Sequence, residues 1–196
     1  MEAVNSIVSK SFADCVLTKG GVLVNTQSAP RFCFDVLVYK DKRALWNNDP
    51  MRHDVSWNLV TNEGKNALNN IMFHAATQIT TWYIELFESN TTPVVGMTYA
   101  VPTYTPCTAY SEAVRQEYVE GASSSQSITN TSSRANFTMN ASKSVYGASL
   151  VGGGSAATTK GNTAGGGTLY CVDLFTSMQS VVSGNVLAIG ITITQS

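Results

Sequence analysis

The sequence predicts a mainly β fold: an antiparallel, jelly-roll-like β-sandwich with one α-helix and an extended N-terminal arm. Short segments that alternate apolar and polar residues recur along the chain, turn residues separate them, and only one segment has helical spacing. The chain has 196 residues, of which 43% are apolar, so it is long enough for one domain with its own core. We therefore predict an arm over residues 1–30 and a sandwich domain over residues 31–196.

The arm mixes isolated apolar pairs with Ser, Thr, Lys and Gly. One short strand is predicted inside it, at Val22, Leu23 and Val24, and these three residues are candidates for binding a partner. Directly after the arm, a period of two indicates a strand with one inward face, made by Phe32, Phe34, Val36 and Val38. Residues 40–54 are polar and predict a loop, and a second short strand is expected over residues 55–59.

One α-helix is predicted near residues 62–76. Thr61 is a suitable N-cap, and Glu63 lies in the first turn, near the positive end of the helix dipole. Apolar residues fall at positions i, i+3, i+4 and i+7, which is one stripe of a helix: Leu68, Ile71, Met72 and Ala75.

The rest of the chain is predicted to form strands and loops. Prolines interrupt residues 94–106, which indicates irregular or edge structure, and residues 110–118 fit either a short helix or a wrapped loop. A glycine-rich loop over residues 152–167 is expected to be a flexible surface projection between two strands. Alternation predicts the remaining strands at residues 79–88, 127–129, 135–140, 145–151, 168–176 and 185–194.

Charge excludes several classes of partner. Twelve basic and thirteen acidic residues give a net charge of −1, and no basic face is visible, so we expect no nucleic acid partner. No apolar run approaches the ~20 residues that span a bilayer, and no signal peptide precedes the first strand, so we expect no membrane partner and synthesis in the cytosol. Residues 121–196 carry only four charged side chains, which favours a subunit that hides surface.

The sequence offers no catalytic, cofactor-binding or metal-binding pattern, and we expect a protein that is not an enzyme and needs no cofactor. His53 and His74 lack the orienting partner and nucleophile that a general base requires. Four dispersed cysteines without a C-x-x-C motif argue against zinc and indicate small buried thiols. Glu112 and Arg115 favour a structural ion pair across one helical turn, although a functional role for them stays open.

Two motifs carry a family resemblance. They are Asn58-Leu-Val-Thr-Asn-Glu-Gly64 and, after the predicted helix, Thr-Thr-Trp82-Tyr83-Ile-Glu-Leu-Phe. In this order, and followed by the Tyr110 to Arg115 stretch, they resemble a group of virion proteins of tailed bacteriophages. The resemblance makes Asn58, Gly64, Trp82, Tyr83, Glu112 and Arg115 candidate structural motif residues.

The resemblance implies a structural virion protein, and in some phages a capsid cement or decoration protein that clamps neighbouring subunits of the major capsid protein. Cement proteins commonly form trimers, so the resemblance implies a homotrimer on the capsid surface. Our hypothesis is that residues 1–30 reach across capsid subunits while the sandwich trimerises. A tail, neck or fibre component is the alternative within virions. A lectin-like module is the alternative of another class, with Trp82, Tyr83 and Tyr146 as stacking groups.

Overall fold

The computed structural model describes residues 31–156 and 159–195, together with the backbone of two short strands, β1 (Cys15–Leu17) and β2 (Leu23–Asn25). The described chain is mainly β, with 42% strand and 12% helix, and its two larger sheets are antiparallel. This confirms the predicted fold class, a sandwich of β-sheets.

The two larger sheets have five strands each. Sheet I has the order β5 (Leu59–Val60), β11 (Thr168–Val181), β10 (Lys143–Gly152), β6 (Trp82–Phe87) and β7 (Gln116–Glu117). Sheet II has the order β4 (Arg52–Trp57), β3 (Arg31–Tyr39), β12 (Val186–Thr194) and β8 (Ser127–Thr129), and β9 (Ala135–Thr138) also pairs with β12. Strand β8 has the predicted bounds, β11 begins at the predicted residue 168, and β12 ends at the predicted residue 194. Strand β11 continues five residues beyond its predicted end.

The main core lies between the two sheets. As predicted, the inward residues of β3 are fully buried, and they meet the inward face of β12, Leu187, Ile189 and Ile191. Ile84, Leu86, Leu150 and Cys171 close this core from sheet I. Burial of these apolar side chains is the main force that holds the sheets together.

Sheet I is also covered on its second face. Residues 94–106 and the glycine-rich segment lie over it and bury a second cluster that contains Phe87, Met97, Tyr99, Tyr104 and Val172. Regular structure is absent from residues 94–106 in the described chain, which confirms the irregular structure that the prolines predicted. Strands β10 and β11 are therefore buried on both faces.

Among the described residues, a helix that the sequence did not predict covers one end of the outer face of sheet II. This helix, α1 (Lys42–Trp46), lies in the segment predicted to be a loop. The Asp41 side chain accepts a hydrogen bond from Ala44 N at 2.8 Å, and Leu45 packs near Tyr39 and Val186. One turn is too short to show helical periodicity, so the prediction of a single α-helix is wrong for this chain.

The predicted helix is α2 (Asn62–Phe73), and its N-cap is confirmed, because Thr61 Oγ1 accepts from Gly64 N at 2.9 Å. The helix ends three residues before the predicted end, and Ala75 has a φ of +54°. Glu63 has a second role besides its favourable position at the positive end of the helix dipole. Its carboxylate accepts from Tyr99 N and Leu169 N, which ties the start of α2 to the cover of sheet I.

Two asparagines lie at places where the strand pairing changes. The Asn58 N–H donates to Phe32 O at 3.2 Å at the corner where the chain passes from sheet II to sheet I. Asn130 is buried between β8 and β9, which share the same edge of β12. Its amide donates to Ile189 O and accepts from Ile191 N, so it replaces a strand at that gap.

The arm is only partly described. Leu23 and Val24 lie in β2, which pairs antiparallel with β1 in a third, two-stranded sheet, whereas Val22 and the rest of residues 1–30 lie outside the described residues. The arm therefore contains a second strand over residues 15–17, which the sequence did not predict.

Substitution of Gly64 by Ala is expected to destabilise the fold. An added Cβ would lie 2.4 Å from the Tyr170 carbonyl oxygen of β11, and backbone cannot move aside as a flexible side chain can. Overpacking of this kind costs about 1–3 kcal/mol, which exceeds the gain of up to about 1 kcal/mol from replacing a helical glycine. Urea unfolding of Gly64→Ala should show a lower midpoint than the wild type.

The matched control is Gly96→Ala. A Cβ on Gly96 has nothing within 4 Å, so this variant should unfold at the wild-type midpoint or above it. If both variants behave alike, close packing of α2 on β11 is not what requires glycine at position 64.

Candidate partner-binding surface

Among the described residues, the outer face of sheet II away from α1 is an exposed surface built from strand residues. The register places Trp57 opposite Cys33, Cys33 opposite Thr192, and Thr192 opposite Thr129, so these side chains form one row across four strands. Residues directly opposite in a ladder share a face. We call this surface the Trp57 face and define it as Cys33, Val55, Trp57, Thr129, Thr192 and Thr194.

The Trp57 face combines apolar exposure with neutral hydroxyl groups. Trp57 is 68% exposed and Val55 is 44% exposed, at the β4 edge. Towards β8 the face changes to hydroxyl groups, with Thr129 and Thr192 in a hydrogen bond at 2.9 Å and Ser127 bonded to Thr194 at 2.7 Å. The exposed apolar end is typical of a surface that binds another protein.

A charged cluster borders the Trp57 face. Asp35 accepts hydrogen bonds from Arg134 at 2.5 Å and contacts His53 Nε2 at 2.8 Å. Arg134 also donates to Asp35 O, and its guanidinium covers Gly190, where an added Cβ would lie 2.4 Å from Nη1. Asp35 and Arg134 at this border are therefore paired with each other, whereas the exposed Arg31, opposite Thr194, adds one positive charge at the end of the face.

Two further exposed aromatic side chains lie outside this face. Trp46 is 90% exposed at the end of α1, beside a groove of about 360 Å³ that Glu112 and Thr138 also line. Phe73 is 84% exposed at the end of α2. Sequence reasoning missed all three exposed aromatics, although the alternation of Val55 with Trp57 already placed both on one side of a predicted strand.

Arg115 forms a buried ion pair, but its partner is Glu85 on β6 and not Glu112 as predicted. Arg115 Nε lies 2.8 Å from Glu85 Oε1, and both side chains are almost fully buried. Glu112 instead accepts from Thr138 N on β9. The predicted pairing is wrong because residues 110–118 form a wrapped loop that ends in β7, with no helical turn to bring positions 112 and 115 together.

The same guanidinium holds the glycine-rich segment against sheet I. Arg115 Nη1 donates to Ala156 O at 2.9 Å, and Nη2 donates to Asn162 O at 2.7 Å. Lys160 Nζ adds a third anchor, since it donates to Tyr110 O at 2.6 Å and lies over the Tyr110 ring. The described part of this segment is thus fastened to the domain, which corrects the prediction of a free surface projection.

Hydrogen bonds satisfy both oxygens of Glu85. Tyr104 donates to Glu85 Oε2 at 3.0 Å and contacts Ser149 Oγ at 2.8 Å. Burial raises the pKa of Glu85, and the charge of Arg115 opposes that rise. An ion pair this deep, with its oxygens satisfied, has a structural role in holding the cover of sheet I.

The aromatic residues of the sequence motif serve the core. Trp82 is half-buried and meets the Tyr170 ring edge-on at a centroid distance of 5.4 Å. Tyr83 and Tyr146 are half-buried against the second cluster. None of these three rings is exposed in the way that a stacking platform for a sugar requires.

A buried carboxyl group bridges the two sheets. Ser56 of β4 donates a hydrogen bond to Asp173 Oδ2 of β11, and Asp173 Oδ1 has no hydrogen-bond partner among the described residues. Burial raises the pKa of Asp173 to about 6, against the opposing effect of the Ser56 hydrogen bond.

Both histidines of the chain lie within the described residues 31–156 and 159–195. His53 pairs with Asp35, and His74 caps the C-terminus of α2. Within these ranges no three His, Cys, Asp or Glu side chains are grouped as metal ligands would be, and no helix has the length and apolarity to cross a bilayer. Cys107 and Cys171 are buried free thiols and Cys33 is half-buried; Cys15 has no described side chain.

No protein-family model and no curated protein sequence matches this chain.

Replacement of Arg115 by Met should destabilise the protein strongly. It leaves the Glu85 carboxylate buried without its cation and removes two anchors of the glycine-rich segment. Breaking a buried pair from one side costs about 3–5 kcal/mol, whereas replacing both partners by apolar residues costs much less. Urea unfolding should therefore show a large loss for Arg115→Met and partial recovery for the double variant Glu85→Met/Arg115→Met.

The half-buried pair between Lys143 and Glu88 provides the control, and Lys143→Met should lower the unfolding midpoint far less than Arg115→Met. Equal effects of Arg115→Met and Lys143→Met would contradict the structural role assigned to the buried pair.

The raised pKa of Asp173 predicts that the stability of the fold decreases as the pH rises from about 4 to about 6. The folded carboxyl keeps its proton up to about pH 6, whereas an unfolded Asp releases it near pH 4. The folded state thus binds more protons in this interval, and the free energy of unfolding decreases as the pH rises through it. Asp173→Asn, a neutral isostere, should be more stable than the wild type by about 1–3 kcal/mol at pH 7 and lose this advantage below pH 4.

Chemical denaturation at a series of pH values tests this, with Asp49→Asn on an exposed loop as a control for the loss of one negative charge. A constant difference between Asp173→Asn and the wild type at all pH values would refute the raised pKa.

Proposed function

We propose that this protein is a structural virion protein, and most directly a capsid cement protein that binds the shell of the major capsid protein. In this proposal it is made in the host cytoplasm and attaches to the capsid surface as a homotrimer. The Trp57 face is the observation that carries the proposal, together with the resemblance of the Asn58 to Gly64 and Trp82-Tyr83 motifs to virion proteins of tailed phages.

The composition of the Trp57 face supports adhesion to protein. Trp57 and Val55 offer apolar area at the edge, and the threonine rows of β12 and β8 offer hydroxyl donors and acceptors. Tryptophan is enriched among the residues that dominate binding energy at interfaces. Most of this face is uncharged, and Asp35 beside Val55 is paired with Arg134, so its binding would depend less on ionic strength than binding by a strongly charged face.

The small number of charged residues beyond residue 120 also supports self-association. Of the 25 charged residues, only Arg134, Lys143, Lys160 and Asp173 lie beyond residue 120. Arg134 pairs with Asp35, Lys143 pairs with Glu88, and Lys160 is bonded to carbonyl groups, so this half adds little unpaired charge to the surface. Charge depletion is a feature of interface cores, and it favours contact between copies.

Copy number separates the cement proposal from a tail, neck or fibre component, because a cement protein is present in many copies per particle and the alternatives in few. The lectin alternative loses support from the burial of Trp82, Tyr83 and Tyr146, and binding to a glycan array would revive it.

Two variants should lower occupancy on the capsid. Trp57→Ser removes an aromatic side chain that is 68% exposed, and loss of one interface anchor of this kind typically costs about 2 kcal/mol or more of binding. Deletion of residues 1–25 removes the arm that we propose to reach across capsid subunits. Occupancy is measured by incubating purified protein with particles that lack it and counting bound copies by gel densitometry and cryo-EM.

Trp46→Ser is the matched control, since it removes an exposed tryptophan outside the Trp57 face. Trp57→Ser should keep the wild-type far-UV circular dichroism, and the deletion variant, which lacks β1 and β2, should keep a single cooperative unfolding transition. Full occupancy by Trp57→Ser would exclude the Trp57 face as the docking surface, and full occupancy by the deletion variant would exclude the arm.

A further inference from the structure

An apolar groove of about 290 Å³ lies at the open end of the sandwich, between α2 and the two sheets. Its walls come from Leu68, Ile71 and Met72 of α2, Trp82 of β6 and Ile193 of β12. Trp82 and Ile193 are packed against the main core from this side, so the groove is a place where the core is incompletely closed. We call it the α2 groove.

We propose that the α2 groove is the docking site of the N-terminal hairpin β1–β2 of the same chain. This inference does not rest on the proposed function, because it concerns the isolated protein. Three observations carry it: where the arm joins the domain, the apolar sequence of the hairpin, and the length of the tether between them.

The arm joins the domain at the rim of the groove. Arg31 pairs with Thr194, and Phe32 pairs with Ile193, which lines the groove. The Phe32 ring lies 5.1 Å from the Tyr170 ring, and Tyr170 meets Trp82 in the groove wall. The segment that precedes Arg31 therefore starts next to the groove.

The hairpin needs an apolar surface to pack against. Its strands read Cys-Val-Leu and Leu-Val-Asn, and the register sets Leu17 opposite Leu23 and Val16 opposite Val24. An isolated two-stranded hairpin is at best marginally stable in water and gains independent stability only by packing on another element. The groove supplies the apolar surface that such a hairpin lacks.

The tether decides between the hairpin of the same chain and that of a second copy. Residues 26–30 separate Asn25 from Arg31, so these ends are at most about 20 Å apart in a fully extended chain. A short flexible tether gives an effective concentration in the millimolar range, which a second copy reaches only at comparable protein concentrations. The hairpin of the same chain is therefore the favoured occupant.

Trp82 provides a probe inside the groove. The chain has three tryptophans, and Trp46 and Trp57 are exposed elsewhere, so Trp46→Phe/Trp57→Phe leaves Trp82 as the single fluorophore. In this background, deletion of residues 1–25 should raise the acrylamide quenching constant of Trp82 at least about twofold and shift its emission to the red, because the indole loses its cover. Equal quenching with and without these residues would overturn the proposal.

A substitution in the groove gives a second test that keeps the chain intact. Met72 lines the groove and is 63% exposed, so Met72→Glu should release the hairpin without unfolding the domain. It should raise Trp82 quenching to the level of the deletion variant and speed trypsin cleavage at Lys19. Phe73→Glu, one residue further and outside the groove lining, should change neither; equal effects of both substitutions would overturn the proposal.

Occupancy by a second copy is tested by mixing. A full-length chain without tryptophan, made by adding Trp82→Phe, is refolded together with the truncated chain that carries only Trp82. We expect Trp82 in the truncated chain to stay accessible to acrylamide. If it becomes shielded, the hairpin binds a neighbouring copy, and docking within one chain is refuted.

Discussion

The fold depends on burial of both faces of sheet I. Strands β10 and β11 carry apolar side chains on each side, so sheet II alone cannot remove them from water. The second cover is made of irregular chain, which has fewer internal backbone hydrogen bonds than a helix or sheet. Arg115 meets that need, because one guanidinium bonds Glu85 on the sheet and two carbonyl groups of the glycine-rich segment. This buried cation is thus the central anchor of the cover, and Lys160 and Glu63 add further hydrogen bonds to it.

Sheet II is built differently. Helix α1 and Arg134 cover part of its outer face, and much of the remainder carries apolar side chains at the β4 edge and threonine hydroxyl groups on β12 and β8. Desolvation of neutral hydroxyl groups costs far less than desolvation of ions, provided that a partner replaces their hydrogen bonds. This difference between the sheets makes the outer face of sheet II the better candidate for binding another protein.

The sequence predicted those elements whose signal is local. Period-two alternation identified β3 and β12, and Thr61 identified the start of α2, because each pattern reports directly on the neighbouring backbone. It could not predict α1, which is a single turn stabilised by Tyr39 and Val186, nor the partner of Arg115, which lies thirty residues away along the chain. The sequence could not predict the exposure of Trp57 either, since alternation separates the two faces of a strand but does not show which face is covered.

The position of Arg31 links the two surfaces. Its backbone pairs with Thr194 at the border of the Trp57 face, and the next pair, Phe32 with Ile193, faces the core and the α2 groove. In the proposed arrangement the tether of the hairpin therefore leaves the domain between the docked hairpin and the Trp57 face. A partner seated on that face would contact Arg31, where the tether joins the domain, so binding of the partner and retention of the hairpin would compete at that point. Such competition is a coupling between two sites, and it acts equally in both directions.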